Sequence, residues 1–495
     1  KYVNRMVGGT LTLDAGTNEI QQLNLGSPTG GTYTLTIQVP VAGGSPVGYT
    51  TAAIAFNATD AQIAQAVQNA LAPVENASVS VQNKQLTFAG ALGGRNLSGV
   101  TINSSLTGGT APTVTEIRAG GSADITLTNA NNSISGDVTV ADSANLSLYS
   151  IGGLHLVGAR VGNNLYIEAT APVSGSTQGV RNSDGWEVLG WTEIQAAGQD
   201  VILTADHQFV GEVRINARNV VINDVDAITL GNLNITGNLT VTSGASIVST
   251  GNIVVAGTTT LTAAGSISLT GSNNFASLSV LGAQNVTIND TSANGLDLAG
   301  ITTTGNLSIT SVGTITDSQA TVVAGTTTIQ AGAGAVTLDS GLRGTGAMVL
   351  GGSSITLGET SAGGSLALTA SGAVSLASGV SDSVAVTGNF SLTAGGAVSD
   401  TGSVRVGGTT TVTASGQAVT LDSARNDFTG AVQVAAASAS VTDQNSLAIT
   451  ATTTSGLTLN VGTTLNLAAT SVASLTVTAG GAVTDSGAIV VSGVT

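Results

Sequence analysis

The sequence predicts an all-β fold: a parallel β-solenoid (β-helix) with rungs of about 17 residues, preceded by a small α+β module. Three observations carry that expectation. Short runs of alternating apolar residues recur along most of the chain, they are bracketed by Gly, Asn and Ser, and whole phrases return at intervals. "VVAGTTT" stands at Val254–Thr260 and again at Val322–Thr328.

The N-terminal part is written differently from the rest. "GTYTLTIQV" and "YTTAAIAF" read as strands, and "TDAQIAQAVQNALAP" reads as one helix near 59–72. Thr59 with Gln62 forms a capping box, Ile63, Val67 and Leu71 share a face, and Pro73 stops the helix. "ASVSVQNKQLTFAG" follows as a hairpin turning at Gln82–Lys84. The module is expected to occupy 1–121, ending near Gly120 and Gly121, with the solenoid over 122–495.

Within the solenoid region four phrases align, starting at Gly237, Gly305, Gly388 and Ala473. Taken as four, five and five units, the three intervals between these starts give a rung of about 17 residues. The interval from Asp339 to Asp422 matches that from Gly305 to Gly388, and Asp317, Asp400 and Asp485 keep step with the last three phrases. Pairs such as Leu307/Ile309, Phe390/Leu392 and Leu475/Val477 supply the period-two alternation of strands. One non-repeat insertion is expected at 168–200; without it the region would hold ~20 rungs. That insertion carries both tryptophans, and Trp186, Trp191, Arg181 and Asp184 form the candidate contact site, because Trp and Arg often anchor interfaces.

Composition narrows the chemistry. Only 8% of the 495 residues are charged and 3% are aromatic, against roughly 25% charged in an ordinary soluble domain. Twelve basic and 28 acidic residues give a net charge of −16, which repels a phosphate backbone and argues against nucleic acid as a partner. Cysteine is absent, which excludes disulfides and thiolate metal sites, and no apolar run approaches the ~18 residues of a membrane-spanning helix. His155 and His207 are far apart in the chain and read as structural. The recurrent aspartates read as corner caps, so no metal or cofactor is expected. Arg343, Arg405 and Arg425 are the only basic residues after Arg218, and no carboxylate pair recurs on adjacent rungs, so no catalytic residue is assigned and the chain is not expected to be an enzyme. The sequons at Asn234, Asn238, Asn306 and Asn389 coincide with turn phrases and read as turn chemistry.

"NEIQQLNLGSPTGGTYTLTI", "TTAAIAFNATDAQIAQAV" and "LTFAGALGGRN" resemble a module of very large bacterial surface proteins of planctomycete type. "GGAVTDSGAIVVSG", "VAGTTT" and "VTLDSARNDFTGAVQV" resemble the strand repeats of giant secreted adhesins similar to filamentous haemagglutinin. The resemblance implies a non-catalytic extracellular structural protein of adhesin type, secreted or held at the cell surface, serving as a stalk, filament or surface-layer building block. Its partners would be further copies of itself and a cell-surface glycan or a host or neighbouring surface. The strand pattern is still running at Thr495, where "GAIVVSGVT" echoes "GSVRVGGTT" at Gly402, as expected of a segment of a longer polypeptide. The alternative is a polysaccharide-binding or polysaccharide-cleaving β-helix of tailspike type.

Overall fold

A computed structural model describes residues 9–41, 45–97, 99–134, 136–170, 178–181 and 184–493. The described strands wind into about 18 stacked parallel coils, and the helix Asp60–Ala70 is the single helix among the described residues. Two compact units divide the chain, one up to Thr229 and one from Leu230.

In the first unit the coil stack begins before the α+β module rather than after it. Leu11–Asp14 pairs in parallel with Asp137–Ser143, with Leu11 beside Val138 and Leu13 beside Val140. The module is therefore an excursion from the first coil. Gly16–Thr17 and Gly121–Ser122 pair antiparallel at its neck, where the Thr17 hydroxyl donates to the Gly121 carbonyl at 2.9 Å. Inside it, Ile20–Asn24, Ala77–Gln82, Gln85–Gly90 and Thr113–Arg118 make one antiparallel sheet, and Thr32–Val39 pairs with Val47–Thr50, Ile54–Ala55 and Val100–Ser104. The helix carries the expected capping box, with both Thr59–Gln62 bonds formed, and buries Ile63 and Val67 in a core that also holds Leu35, Leu86 and Phe88. The hairpin turns at Asn83 and Lys84, whose φ values of 52° and 59° are those of a type I′ turn.

The remaining coils of this unit stack through Leu146↔Leu165, Leu165↔Thr192 and Thr192↔Val213, and the middle step, from Leu165 to Thr192, is the longest. That long coil takes in most of 168–200, whose last residues begin the next coil. Its described strands, Gln178–Arg181, Trp186–Val188 and Thr192–Ala196, stay in parallel register with their neighbours. The irregular writing of this segment thus marks a lengthened coil, without a break in pairing among the described residues.

In the second unit one face can be followed through Leu307↔Thr327, Thr327↔Met348, Met348↔Leu366 and Leu366↔Phe390. Leu307 to Phe390 is thus four coils, where phrase spacing implies five, and every one of the four steps is longer than the expected rung of about 17 residues. The unit of about 17 residues also rests on the intervals to either side, and both of these join different faces: Leu239 stacks through Thr259 and Leu278 to Leu298, apart from the Val286–Leu307 column. Leu475 stacks through Leu457 and Ala439 onto Val419 and Val398, on a different face from Phe390. Asp485 likewise sits beside Leu467 on a different face from Asp400, which sits beside Leu376. Every face of a coil has the same apolar alternation and the same Gly-Asn turns, so aligning phrases matches one face to another and divides the distance by the wrong count.

Two devices hold coil to coil beyond the strand ladders. Inward residues such as Leu307, Ile309, Leu366, Leu368, Phe390 and Leu392 are buried to within 2% of completely, each contributing about 1.5–3 kcal/mol of transfer free energy. At the corners, short polar side chains accept the backbone N–H of the next coil. Ser246 Oγ accepts from Ser266, Ser266 Oγ from Asn285, Asn285 Oδ1 from Asn306 and Asn306 Oδ1 from Thr326, at 2.8–3.4 Å. Asn238 and Asn389 do the same for Thr258 and Thr409, so these sequon asparagines have turn roles. Gly305 sits in this ladder because a Cβ there would lie 2.4 Å from Asn285 Oδ1.

Candidate contact site on the tryptophan-bearing coils

The strand Trp186–Val188 enters the coil with its first side chain inward, so Trp186 is only 1% exposed. Its indole Nε1 donates to the Leu156 carbonyl at 2.9 Å, and its ring meets His207 and Phe209 edge-on at 5.1 and 6.3 Å. The Trp186 backbone N–H donates to His207 Nδ1 at 3.0 Å, which leaves the proton of the neutral ring on Nε2. Burial pushes the His207 pKa down to about 4, so the ring is neutral near pH 7.

The arrangement around His207 recurs twice more among the described residues. Asp224 Oδ2 accepts from the Phe209 N–H at 2.9 Å, Asp290 Oδ1 from Phe275 at 3.0 Å and Asp443 Oδ2 from Phe428 at 2.7 Å. Just before each phenylalanine, at the second position back, stands an acceptor for the preceding coil: His207 for Trp186, Asn273 for Ile253 at 3.0 Å and Asn426 for Val404 at 2.8 Å. His207 thus fills a position that asparagine fills elsewhere, its Nδ1 in place of the amide oxygen. All three aspartates have pKa values raised by burial, Asp224 to about 6, with the backbone donors pulling the other way. The capping role expected of the aspartates is also visible at Asp317, which accepts from the Asp339 N–H at 2.8 Å, and at Asp400, which accepts from Asp422 at 3.0 Å. His155 is half-buried, with Nδ1 2.6 Å from Oδ1 of the exposed Asp137. Among the described residues no group of three or more His, Asp or Glu side chains is placed to hold a metal ion.

The four predicted contact residues do not converge on one surface. Trp186 is core. Asp184 is exposed, and its backbone N–H donates to Val157. Arg181 pairs through its backbone with His155 and Ile202, and its side chain lies outside the described residues. Trp191 is half-buried, its N–H donating to Asn164 Oδ1 at 3.1 Å and its ring 6.0 Å from the Arg214 guanidinium.

Trp191 leads into a polar and aromatic face that the sequence analysis does not single out. Successive coils place Ser147, Tyr166, Glu193 and Arg214 in one outward column, and Tyr149, Glu168, Gln195 and Asn216 in the next. Two bonds cross-link the columns, Tyr166 Oη donating to Glu168 at 2.9 Å and Gln195 to Glu193 at 3.1 Å, and Asn216 donates to Gln195 along the second column at 3.2 Å. Burial and the Glu168 carboxylate push the Tyr166 phenol up to about 12. A signal for this face is present in the sequence, since two of only five tyrosines fall at alternating positions in "LSLYS" and "LYIEA". Such a face offers fixed donors, fixed acceptors and ring surfaces, the groups that meet sugar hydroxyls and C–H bonds.

The chain matches the repeats of unknown function designated DUF5649 over residues 143–216, 217–282, 283–342, 380–435 and 454–495, more than half its length. It belongs to that repeat family. Each match is longer than one coil of this chain. Neither the curated proteins nor the solved structures contain a match to the chain.

Proposed function

We propose that this DUF5649 chain is a non-catalytic structural element of a bacterial surface, a stalk or filament building block of the kind its strand repeats resemble, exported and displayed outside the cell. The observation that supports the reading is the way the coils are joined. Within each unit, backbone ladders, an apolar interior and corner side chains that cap the next coil make each coil the template for its neighbour, a design suited to length and stiffness. Immunogold labelling of intact producing cells, paired with protease shaving, tests the location. Surface label and shaved fragments are expected; protein recovered only from the soluble cell interior overturns the reading. Sedimentation of the purified chain then tests whether copies associate.

A second reading, a polysaccharide-binding β-helix, is favoured by the outward Tyr149, Tyr166, Glu193 and Arg214 columns beside Trp191. On that reading the stalk also recognises a glycan. Incubation with a glycan panel, scored both for retention and for new reducing ends, separates binding from cleavage.

A further inference from the structure

The polar and aromatic face of the first unit contains a repeated step, a ring with a carboxylate one coil further on. Tyr149 stands beside Glu168, and Tyr166 beside Glu193. Thr192 pairs with Val213, so Trp191 and Glu212, the residues just before them, take the same relation. The steps are staggered. Tyr166 lies two residues before Glu168, and Trp191 two before Glu193, so each step is displaced from the last by one coil and two residues. The three rings therefore follow one diagonal and the three carboxylates another beside it, and Tyr149, Tyr166 and Trp191 are each half-buried.

One step is filled by the chain itself. Arg214 donates to Glu212 at 2.6 Å, and its guanidinium lies 6.0 Å from the centre of the Trp191 ring, so a cation is held jointly by ring and carboxylate. The other two steps hold no cation of the described chain. Glu168 accepts one hydrogen bond, from Tyr166 through Oε2, and Glu193 accepts one, from Gln195 through Oε1. The second oxygen of each carboxylate has no hydrogen-bond partner and is not enclosed. Taken together, Glu168, Glu193 and Glu212 face a single guanidinium, that of Arg214.

Charge restricts what these two open steps can take. A carboxylate beside a ring attracts a cation, and the −16 net charge of the chain repels an anion before it arrives. We propose that the open steps bind ammonium groups of an amine-bearing glycan, a chain of amino sugars whose amines are not acetylated. Each ammonium stands where the Arg214 guanidinium stands in the third step, between Tyr149 and Glu168 or between Tyr166 and Glu193. With coils rising about 4.8 Å and two residues of strand spanning about 6.6 Å, the two steps are about 8 Å apart, so the smallest ligand that fills both has more than one sugar ring. Linked pyranose rings carry their amines on a stiff frame, whereas a basic peptide would have to immobilise long side chains to do the same. The assignment rests on the second reading above, that this face binds a polysaccharide, and names the polysaccharide.

The test titrates the full chain, at about pH 6 where ordinary carboxylates are ionised and sugar amines are protonated, with a glucosamine tetramer, its N-acetylated counterpart, a galacturonate tetramer and tetralysine. The glucosamine tetramer is expected to bind tightest, with the acetylated form about twentyfold weaker and the galacturonate not bound. Glu168→Gln and Glu193→Gln keep the shape of the side chain; each is expected to weaken the glucosamine tetramer about fivefold and to leave the acetylated form unchanged. Arg214→Gln vacates the third step and is expected to tighten the glucosamine tetramer. Equal binding of the amine and acetylated forms, amine binding that survives both glutamate substitutions, or weaker binding by Arg214→Gln overturns the amine assignment and leaves the glycan reading standing. Absence of binding by every sugar overturns both. Tetralysine bound as tightly as the glucosamine tetramer, and lost with the same substitutions, overturns the sugar in favour of a basic peptide. Where the doubly substituted chain folds poorly, the amine and acetylated tetramers on the parent chain decide.

Discussion

The coils of the two units are alike inside and different outside. Leu165, Ile167, Ile194 and Ile215 line the interior of one as Leu307, Ile309, Leu366 and Leu368 line that of the other. Outward positions on strands of the same kind read Tyr166, Glu193 and Arg214 in the first unit, but Ser308, Thr328, Val349, Ala367, Ser391 and Thr411 in the second, all short and uncharged. Folding constrains the inner row to close packing and leaves the outer row nearly free. An outer row that departs from short uncharged residues toward charged and aromatic ones is therefore where recognition chemistry should be sought.

That contrast breaks first if the interiors are not equivalent. Phe390→Ala and Trp186→Ala should each destabilise by about 3–5 kcal/mol, with hydrogen-exchange protection lost in the substituted coil and its neighbours. Protection retained at either site would show that the coil does not depend on its inner row.

Next in size are the capped corners, where Asp290→Ala should cost about 1–3 kcal/mol by leaving the Phe275 N–H buried without an acceptor. Asp290→Asn keeps an acceptor and should cost less. The corresponding site in the first unit adds a pH signature. The folded-state pKa of His207, about 4, lies below its ordinary 6.5, so the folded chain binds fewer protons there and stability falls as pH drops through that window. Asp224 is raised from 3.8 to about 6, so the folded chain takes up that proton first and stability rises as pH drops from about 6 toward 3.8. Urea midpoints should therefore diverge: relative to the parent, His207→Asn should gain stability between pH 7 and pH 5, and Asp224→Asn should lose it. Parallel profiles for the two variants would contradict the assignment.

Inward threonines provide a smaller and opposite effect. The Thr327 and Thr410 hydroxyls are buried without a partner four coils apart, so Thr→Val at either should stabilise by about 1 kcal/mol, read as a raised denaturation midpoint. Smallest of all, Thr310→Ala on the outer row should change stability by no more than about 0.5 kcal/mol.

The parts of the fold that are readable in the sequence are those set by local rules. Alternation predicts the strands, Thr59 and Gln62 predict the helix start, and the Asn83–Lys84 turn follows from "VQNKQ". Coil length is misread because it depends on which face a residue occupies, and Leu307 and Leu475 look alike whichever face they serve. Leu11 cannot be assigned to the coils from sequence because its partner, Val138, lies beyond the whole module. The candidate site is half legible. An unusual Trp stands out, but rarity alone does not say whether Trp186 points inward or Trp191 outward; that follows only from register with Ala159 and Asn164.

The neck of the inserted module has an evolutionary consequence. Thr17 and Gly121 are bonded neighbours, so a chain lacking everything between them could be rejoined by a very short link. Strand Leu11–Asp14 would still find Asp137–Ser143. The module is therefore a cassette that a lineage can gain, lose or exchange in one genetic event. Arg95 travels with it and leaves its ion-pair partner Glu187, 2.5 Å away in the intact chain, behind on the coils.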